Sequence, residues 1–387
     1  MRELWAYPLP TGEKSRDYQY ESPIFPCGDE ILFVSSCGGN DLLHIVNGET
    51  GQGRTLQLSR SVSVLPKRFF FRPLPHGILI YNGDFSLYRD GGILKTFEMN
   101  NFGDVTSHLL LKNRLYLVCG QHGRSTLLAF DTDRFMILWT VDVSCKPYAA
   151  GPVTEFEGQL SCFGKDKLLF LNPMTGEVLR ELTAPRTGKL FSPKRSEDGN
   201  LILGYTNWSN AGLMKLHPLT GKPIWKHRRS FEGPLLRCRW WQKGDMLWWV
   251  KNDRELICLD AATGEERYAC PTLPWLYTDL CFVDDRLLFG TSGADGYLTC
   301  LNSETGEKAW SAPLKNGCAY YGLLDDKVIV GDFSKRLMGL SLRDGSVLQE
   351  LPLAGEVVGR IAIHEGCAYT VAWGNETRPI ALVKIEI

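Results

Sequence analysis

With 387 residues, 44% of them hydrophobic and 11% aromatic, the chain has enough apolar side chains for a sizeable core, and its 39 Gly and 20 Pro favour a turn-rich all-β body. Charge is nearly balanced, 43 Lys and Arg against 44 Asp and Glu, which excludes a global attraction to nucleic acid or anionic lipid. No segment reaches the roughly 18 apolar residues of a membrane-spanning helix.

In chain order, Leu4-Trp5-Ala-Tyr-Pro-Leu9 reads as an outer strand with nothing before it. Turn residues then recur in register at Gly51, Gly92, Phe135 (where the Gly is lost), Gly176, Gly221, Gly264, Gly306 and Gly345, spaced 39 to 45 residues apart. This is the spacing of four short strands per repeat, as in the blades of a propeller. The clearest copies are Leu213-Met-Lys-Leu-His-Pro-Leu-Thr-Gly-Lys-Pro-Ile-Trp225, Leu256-Ile-Cys-Leu-Asp-Ala-Ala-Thr-Gly264 and Leu298-Thr-Cys-Leu-Asn-Ser-Glu-Thr-Gly-Glu-Lys-Ala-Trp310. Each is a strand, a tight Gly turn and an outer strand. Ile380 to Ile387 reads as a third strand with no turn after it. Pairing the two ends makes a further blade split between 2–9 and 355–387, closing a ring without exposed sheet edges. The expectation is one domain over 1–387, a closed propeller of nine four-stranded blades, or eight if 62–98 is not a full blade.

The pattern Leu-x-x-Leu-(Asp/Asn)-x-x-Thr-Gly-(Glu/Lys)-x-x-Trp resembles the pyrroloquinoline-quinone-type (PQQ-like) repeat of quinoprotein dehydrogenases and of the related outer-membrane assembly lipoprotein. It spans essentially the whole chain, strongest in 166–312 and weakest in 60–135. The resemblance implies a propeller, usually of eight blades, in which the terminal Trp docks between blades. Here Leu179, Tyr268 or Phe97 is read at that position in several repeats, so the docking is expected to be irregular. Such a scaffold hosts unrelated activities, so it speaks for fold rather than function. The enzymes of the family place a vicinal Cys-Cys disulfide over the quinone and hold Ca²⁺ with carboxylate and Asn ligands. None of the 12 Cys here are adjacent, and there is no Cys-x-x-Cys-His haem run. No quinone, haem or other cofactor is therefore expected.

The start, Met1-Arg-Glu-Leu-Trp-Ala-Tyr-Pro, lacks an apolar signal core and a lipid-attachment Cys. Scattered cysteines suit buried thiols in a reducing compartment, so a cytoplasmic location is expected. The seven His stand in different repeats without metal-ligand spacing, and Asp131-Thr-Asp133 lacks the later oxygen ligands of a Ca²⁺ loop.

Function is sought where the repeat is broken. Leu235-Leu-Arg-Cys-Arg-Trp-Trp241 occupies an inner-strand position, so Arg237 and Arg239 share one side. Buried guanidiniums need acidic partners, water or an anion. Aligned on the turns Asp284-Asp285 and Asp325-Asp326, neighbouring inner strands offer Asp279, Tyr320 and Arg360, with His108 near the same level. Asp279 is the candidate carboxylate for Arg239. The bland reading is an inter-blade ion pair, and the sharper one a positive channel mouth for a carboxylate or phosphate. The surrounding segment 226–243 carries six Lys and Arg against Glu232, beside Trp240, Trp241, Trp248 and Trp249. Basic residues among aromatics suit single-stranded nucleic acid, but one Trp of each pair is expected to pack between blades, and nucleic acid is not the expected partner.

Longer loops, among them Tyr205 to Gly212, Gly290 to Gly296 and Trp373 to Pro379, present Trp208 and Trp373, and Trp275 and Tyr277 follow Pro274 on the same rim. Large aromatics near Arg have the composition of an interface core. The expected function is a non-catalytic binding propeller, either an interaction scaffold or an immunity-type protein that masks a toxin. Its partner would be a protein with an acidic surface, met through one rim and the channel mouth, with no membrane involved. The alternative is a hydrolase or lyase acting on an anionic small molecule or glycan in the channel, with Asp279 and His108 as its titrating groups.

Overall fold

The computed structural model describes residues 1–9, 23–37, 40–58, 69–99, 102–121, 124–143, 153–164, 167–183, 189–207, 210–230, 239–272, 275–357, 360–372 and 380–387. All regular structure among them is β-strand, arranged in eight antiparallel sheets. Arg2–Pro8 pairs with Ala381–Glu386, which continues through Cys367–Ala372 to Ala362–His364, so residues from both ends of the sequence build the terminal sheet. Six sheets follow in chain order over 25–57, 70–97, 104–142, 154–183, 189–230 and 239–271, called here the first to the sixth. The last sheet has seven strands because Lys308–Leu324 runs on, closing one four-stranded group and opening the next. The chain divides into two compact units, Met1–Glu98 with Thr272–Ile387, and Met99–Pro271.

Two local devices set this pattern. Inner hairpins turn on two residues, as at Lys112-Asn113, Glu157-Gly158, Asp284-Asp285, Asp325-Asp326 and Glu365-Gly366. The first of each pair has φ between 47° and 54°, which matches the twist of the flanking strands. The weak second sheet uses the same device on its outer hairpin, with Asp90-Gly91 as the turn and Gly92 already in the strand, one residue away from the expected turn glycine.

The second device is the Thr-Gly turn. The carbonyls of Asn47, Asp131, Asn172, His217, Asp260, Asn302 and Ser341 accept the N–H of the residue four positions on, at 2.8–2.9 Å. Their side chains accept a second N–H inside the turn, for example Asp260 Oδ1 from Thr263 N at 2.9 Å and Asn302 Oδ1 from Thr305 N at 2.9 Å. The fourth residue must be left-handed. Gly264 has φ +74°, and a Cβ there would also lie 2.6 Å from the Trp225 ring. Phe135 adopts φ +60° without that freedom, a strained conformation for a bulky side chain.

The Trp that crowds the glycine belongs to the preceding sheet or, for Trp310, to the preceding four-stranded group of the last sheet. Trp5, Trp139, Trp225 and Trp310 donate their indole N–H groups to Gly48 O, Pro173 O, Ala261 O and Leu342 O, at 3.0–3.2 Å. Each acceptor directly follows the residue that organises the next turn. The same carbonyls receive a second donor: Lys384 Nζ at 2.7 Å on Gly48, Tyr116 Oη at 3.1 Å on Pro173, Lys215 Nζ at 2.7 Å on Ala261, and Arg286 Nη1 on Leu342. Both carbonyl lone pairs are thus occupied, and the aromatic face covers the turn.

A recurrent β-bulge brings the Trp to that place. The outer strand gains one residue just before the docking position, so Ala129 faces Trp139, Lys215 faces Trp225, Cys258 faces Tyr268 and Cys300 faces Trp310. The bulge corrects two expected docking residues. In the fourth sheet Phe170 faces Arg180 rather than Leu179, and in the second Leu87 faces Lys95 rather than Phe97. Arg180 takes over the role of the indole, donating from Nη1 to Pro218 O at 2.6 Å.

Between sheets the core is aliphatic and aromatic. Trp225, Trp240, Trp249 and Leu259 share one cluster, while Trp248 is fully buried with its N–H on Tyr268 Oη at 2.7 Å. Both members of the Trp248-Trp249 pair are therefore core, where one was expected. Gly290 to Gly296, expected as a loop, is strand throughout, within Arg286–Asn302. In the first sheet His44 is fully buried, stacked on Phe33 at 4.4 Å, with Nε2 2.7 Å from Ser35 Oγ and Nδ1 without a partner. Burial pushes its pKa down from 6.5 to about 4.

Trp225→Ala removes an indole that fills the space over Gly264 and leaves a cavity, and a loss of about 3–5 kcal/mol in urea unfolding is expected. The unfolded chain protonates His44 more readily than the folded one between pH 6.5 and about 4. Its contribution is therefore present above pH 6.5, declines as pH falls and levels off below about 4, a swing on the order of 3 kcal/mol. Urea midpoints measured across that range should show the step in the wild type and lack it in His44→Gln.

Candidate functional site

Arg237, Trp208 and Trp373 lie outside the described residues. Arg239 lies in the inner strand Arg239–Lys243 of the sixth sheet. Its Nη2 donates to Asp253 Oδ1 at 2.8 Å, and its guanidinium lies 5.9 Å from the Trp241 ring centroid. Asp253 lies in a turn of the same sheet. Asp279 lies in the other compact unit, exposed, with its backbone carbonyl accepting from Thr278 Oγ1 at 3.1 Å and Tyr321 Oη at 2.9 Å. His108 is half-buried opposite Leu117. Tyr320 is half-buried opposite Gly331 and packs on the cluster of Leu337 and Val357. Arg360 is exposed just before Ala362–His364. His108 and Arg239 fall in one compact unit, and Asp279, Tyr320, Arg360 and Trp275 in the other.

The surface best built for recognition lies around Trp275. The inner edge of its sheet is broken in two: Trp275–Leu276 pairs with Ser292 and Thr291, and Cys281–Val283 resumes opposite Arg286 to Leu288. Across the break the N–H groups of Tyr277 and Thr278 both reach Gly290 O, at 2.9 and 3.3 Å, and Thr278 Oγ1 accepts from Gly290 N at 2.8 Å. Leu276 is buried, whereas Trp275 and Tyr277 are 49% and 50% exposed, as the period of two requires for residues on one face.

Behind this edge the backbones come unusually close. A Cβ on Gly296 would stand 2.2 Å from Gly317 Cα, and one on Gly290 2.6 Å from Cys318. Thr291 Oγ1 accepts from Tyr297 N at 2.9 Å, which fixes Tyr297, 37% exposed, close to the Trp275 edge. Exposed Asp279 and Asp295 flank these aromatics, and Lys315 lies opposite Asp295 across the strands. The sequence pointed to Trp275 and Tyr277 but not to Tyr297, whose only signal is an aromatic side chain before the buried Leu298.

A concavity of about 490 Å³ lies between the first and second sheets, lined by Cys27, Glu30, Arg54, Tyr88 and Gly91 among others. Tyr88 Oη donates to Glu30 Oε2 at 2.5 Å, and Arg54 Nη2 donates to Gly91 O at 3.2 Å and lies 3.7 Å from Glu30. Burial and then the Glu30 charge push the Cys27 thiol up, opposite to the shift an attacking thiolate requires. This cavity binds its own charges to one another.

These sheets define a β-propeller, and over 209–382 the repeats match a PQQ-like family model. A family model described as outer membrane protein assembly factor BamB matches residues 209–382. Among solved structures, BamB from Moraxella catarrhalis is 15% identical, with a TM-score of 0.55 over 82% of this chain and 96% of that one. The computationally designed Ika8 protein is 12% identical, with a TM-score of 0.55 over 95% and 97% of the two chains. The quinohemoprotein alcohol dehydrogenase ADHIIG from Pseudomonas putida HK5 is also 12% identical, with a TM-score of 0.55 over 100% of this chain and 76% of that one. At these identities the likeness is one of fold. No curated protein matches by sequence.

Because Trp275 and Tyr277 face solvent and fill no core, Trp275→Ala and Tyr277→Ala should each change the stability by no more than about 0.5 kcal/mol in urea unfolding.

Proposed function

We propose that this chain is a non-catalytic propeller that binds another protein, an interaction scaffold whose contact surface includes Trp275, Tyr277 and Tyr297. The observation that carries this reading is three exposed aromatics on a backbone held by close glycine crossings and by the Thr278 and Thr291 hydroxyls. Aromatic side chains supply large contact area with few rotamers to freeze, and a rigid support reduces the entropy lost on docking. Masking a toxin is the special case in which the partner is a toxin. The family match, whose description names an assembly factor, is compatible with a scaffold. A cytoplasmic location belongs to the same proposal, supported by nine free cysteines among the described residues, most of them buried.

Affinity capture from native lysate compares the wild type with the Trp275→Ala/Tyr277→Ala double variant. A protein retained in stoichiometric amount by the wild type and lost from the variant is the expected result. Identical captured sets on the two baits would remove the aromatic surface from the proposal.

A further inference from the structure

A second exposed surface lies in the other compact unit, on the turns and outer strands of the fourth and fifth sheets. At the Thr-Gly turns, the position two before the glycine is Glu49, Ala262, Glu304 or Arg343 in most other sheets. In these two it is Met174 and Leu219, 60% and 58% exposed. Their outer strands add exposed Leu179 and Ile224. The apolar groups form one run because the sheets are joined there: Arg180, next to Leu179, bonds the carbonyl of Pro218, next to Leu219. Leu182 also packs against Gly221 of the same turn.

The charges beside this run are of one dominant sign. Lys222, Lys226 and Arg228 are exposed, and no carboxylate pairs with any of them among the described residues. Glu177 is the exposed acid of the neighbouring turn. The adjoining sixth sheet shows the ordinary alternative. There Arg267 is held by Asp245 at 2.5 Å and Asp260 at 2.6 Å, and Glu266 is bonded by Arg229. Unneutralised cations alternating with exposed apolar side chains, on strands that end their sheets, match an extended segment that carries acids and apolar groups in alternation.

We propose that the edge formed by Met174, Leu179, Leu219 and Ile224 with Lys222 and Arg228 docks an acidic, apolar-faced segment of another protein. Apolar contact supplies the anchor, and the cations select the acidic partner and make binding weaken with salt. The surface is separate from Trp275 and Tyr277, so the two proposals stand or fall independently.

The test pans a display library of short random peptides against the wild-type chain and synthesises the most enriched sequence with a fluorescent label. Enriched peptides should combine Asp or Glu with large apolar residues. The labelled peptide should bind about tenfold or more weakly to Leu219→Ser/Ile224→Ser and to Lys222→Glu/Arg228→Glu, and equally well to Trp275→Ala/Tyr277→Ala. Thermal melts by circular dichroism confirm that each variant is folded, and Lys222→Gln/Arg228→Gln replaces a charge-reversed variant that is not. No enrichment, enrichment of basic or uncharged peptides, or unchanged affinity in the variants overturns the proposal. So does preferential binding of the same residues to phosphatidylglycerol vesicles, or self-association that the Leu219→Ser/Ile224→Ser change abolishes.

Discussion

One carbonyl per turn holds neighbouring sheets together. The peptide oxygen that follows the turn-organising Asn, Asp or Ser is the point where the preceding four-stranded group delivers an indole N–H and, from another of its strands, a Lys, Tyr or Arg donor. In the terminal and fifth sheets the two donors face each other across strands, Trp5 with Lys384 and Trp225 with Lys215. The Lys215 ammonium is almost completely enclosed and also meets Asp198 Oδ2 at 2.5 Å, so it does not stand as an uncompensated charge. Thr-Gly is thus a socket as well as a turn: its geometry exposes the carbonyl, and the missing Cβ admits the ring.

This division explains what could be read in the sequence. Asn or Asp followed by Thr-Gly specifies its own fold through bonds spanning a few residues, so the repeats, the turns and the four docking tryptophans were legible. Of the docking positions without Trp, Tyr268 was read at its place, but Leu179 and Phe97 were not. A bulge shifts the register by one residue, and only paired strands reveal that Arg180, and not Leu179, points at the next turn. Arg239 was recognised as out of place in an inner strand, but its bond to Asp253 was not foreseen, because that carboxylate sits in a turn of the same sheet that strand alignment does not weigh. The basic character of 226–243 was evident. That its described part, with Lys226 and Arg228, belongs to an outer strand and its sequel, beside apolar turn tips, required the sheet order.

The two surfaces singled out differ in construction as well as in charge. Around Trp275 the aromatics stand on tightly crossed backbones, with acids of the same segment nearby. On the fourth and fifth sheets the apolar groups sit at turn tips and outer strands, and their cations have no carboxylate partner among the described residues. The first arrangement favours shape, since little has to be ordered on contact. The second favours charge recognition over longer range.

The terminal sheet places a condition on how the molecule comes into being. Arg2 Nε bonds Glu386 Oε2 across 384 positions of sequence. At about 5–20 residues per second, a ribosome needs roughly 20–80 s to make the second of these after the first. During that interval Arg2–Pro8 has no strand to join, and Trp5 lacks the Tyr369 ring that later packs against it. The nascent segment is therefore an unpaired edge for most of synthesis, open to association with other chains unless something shields it.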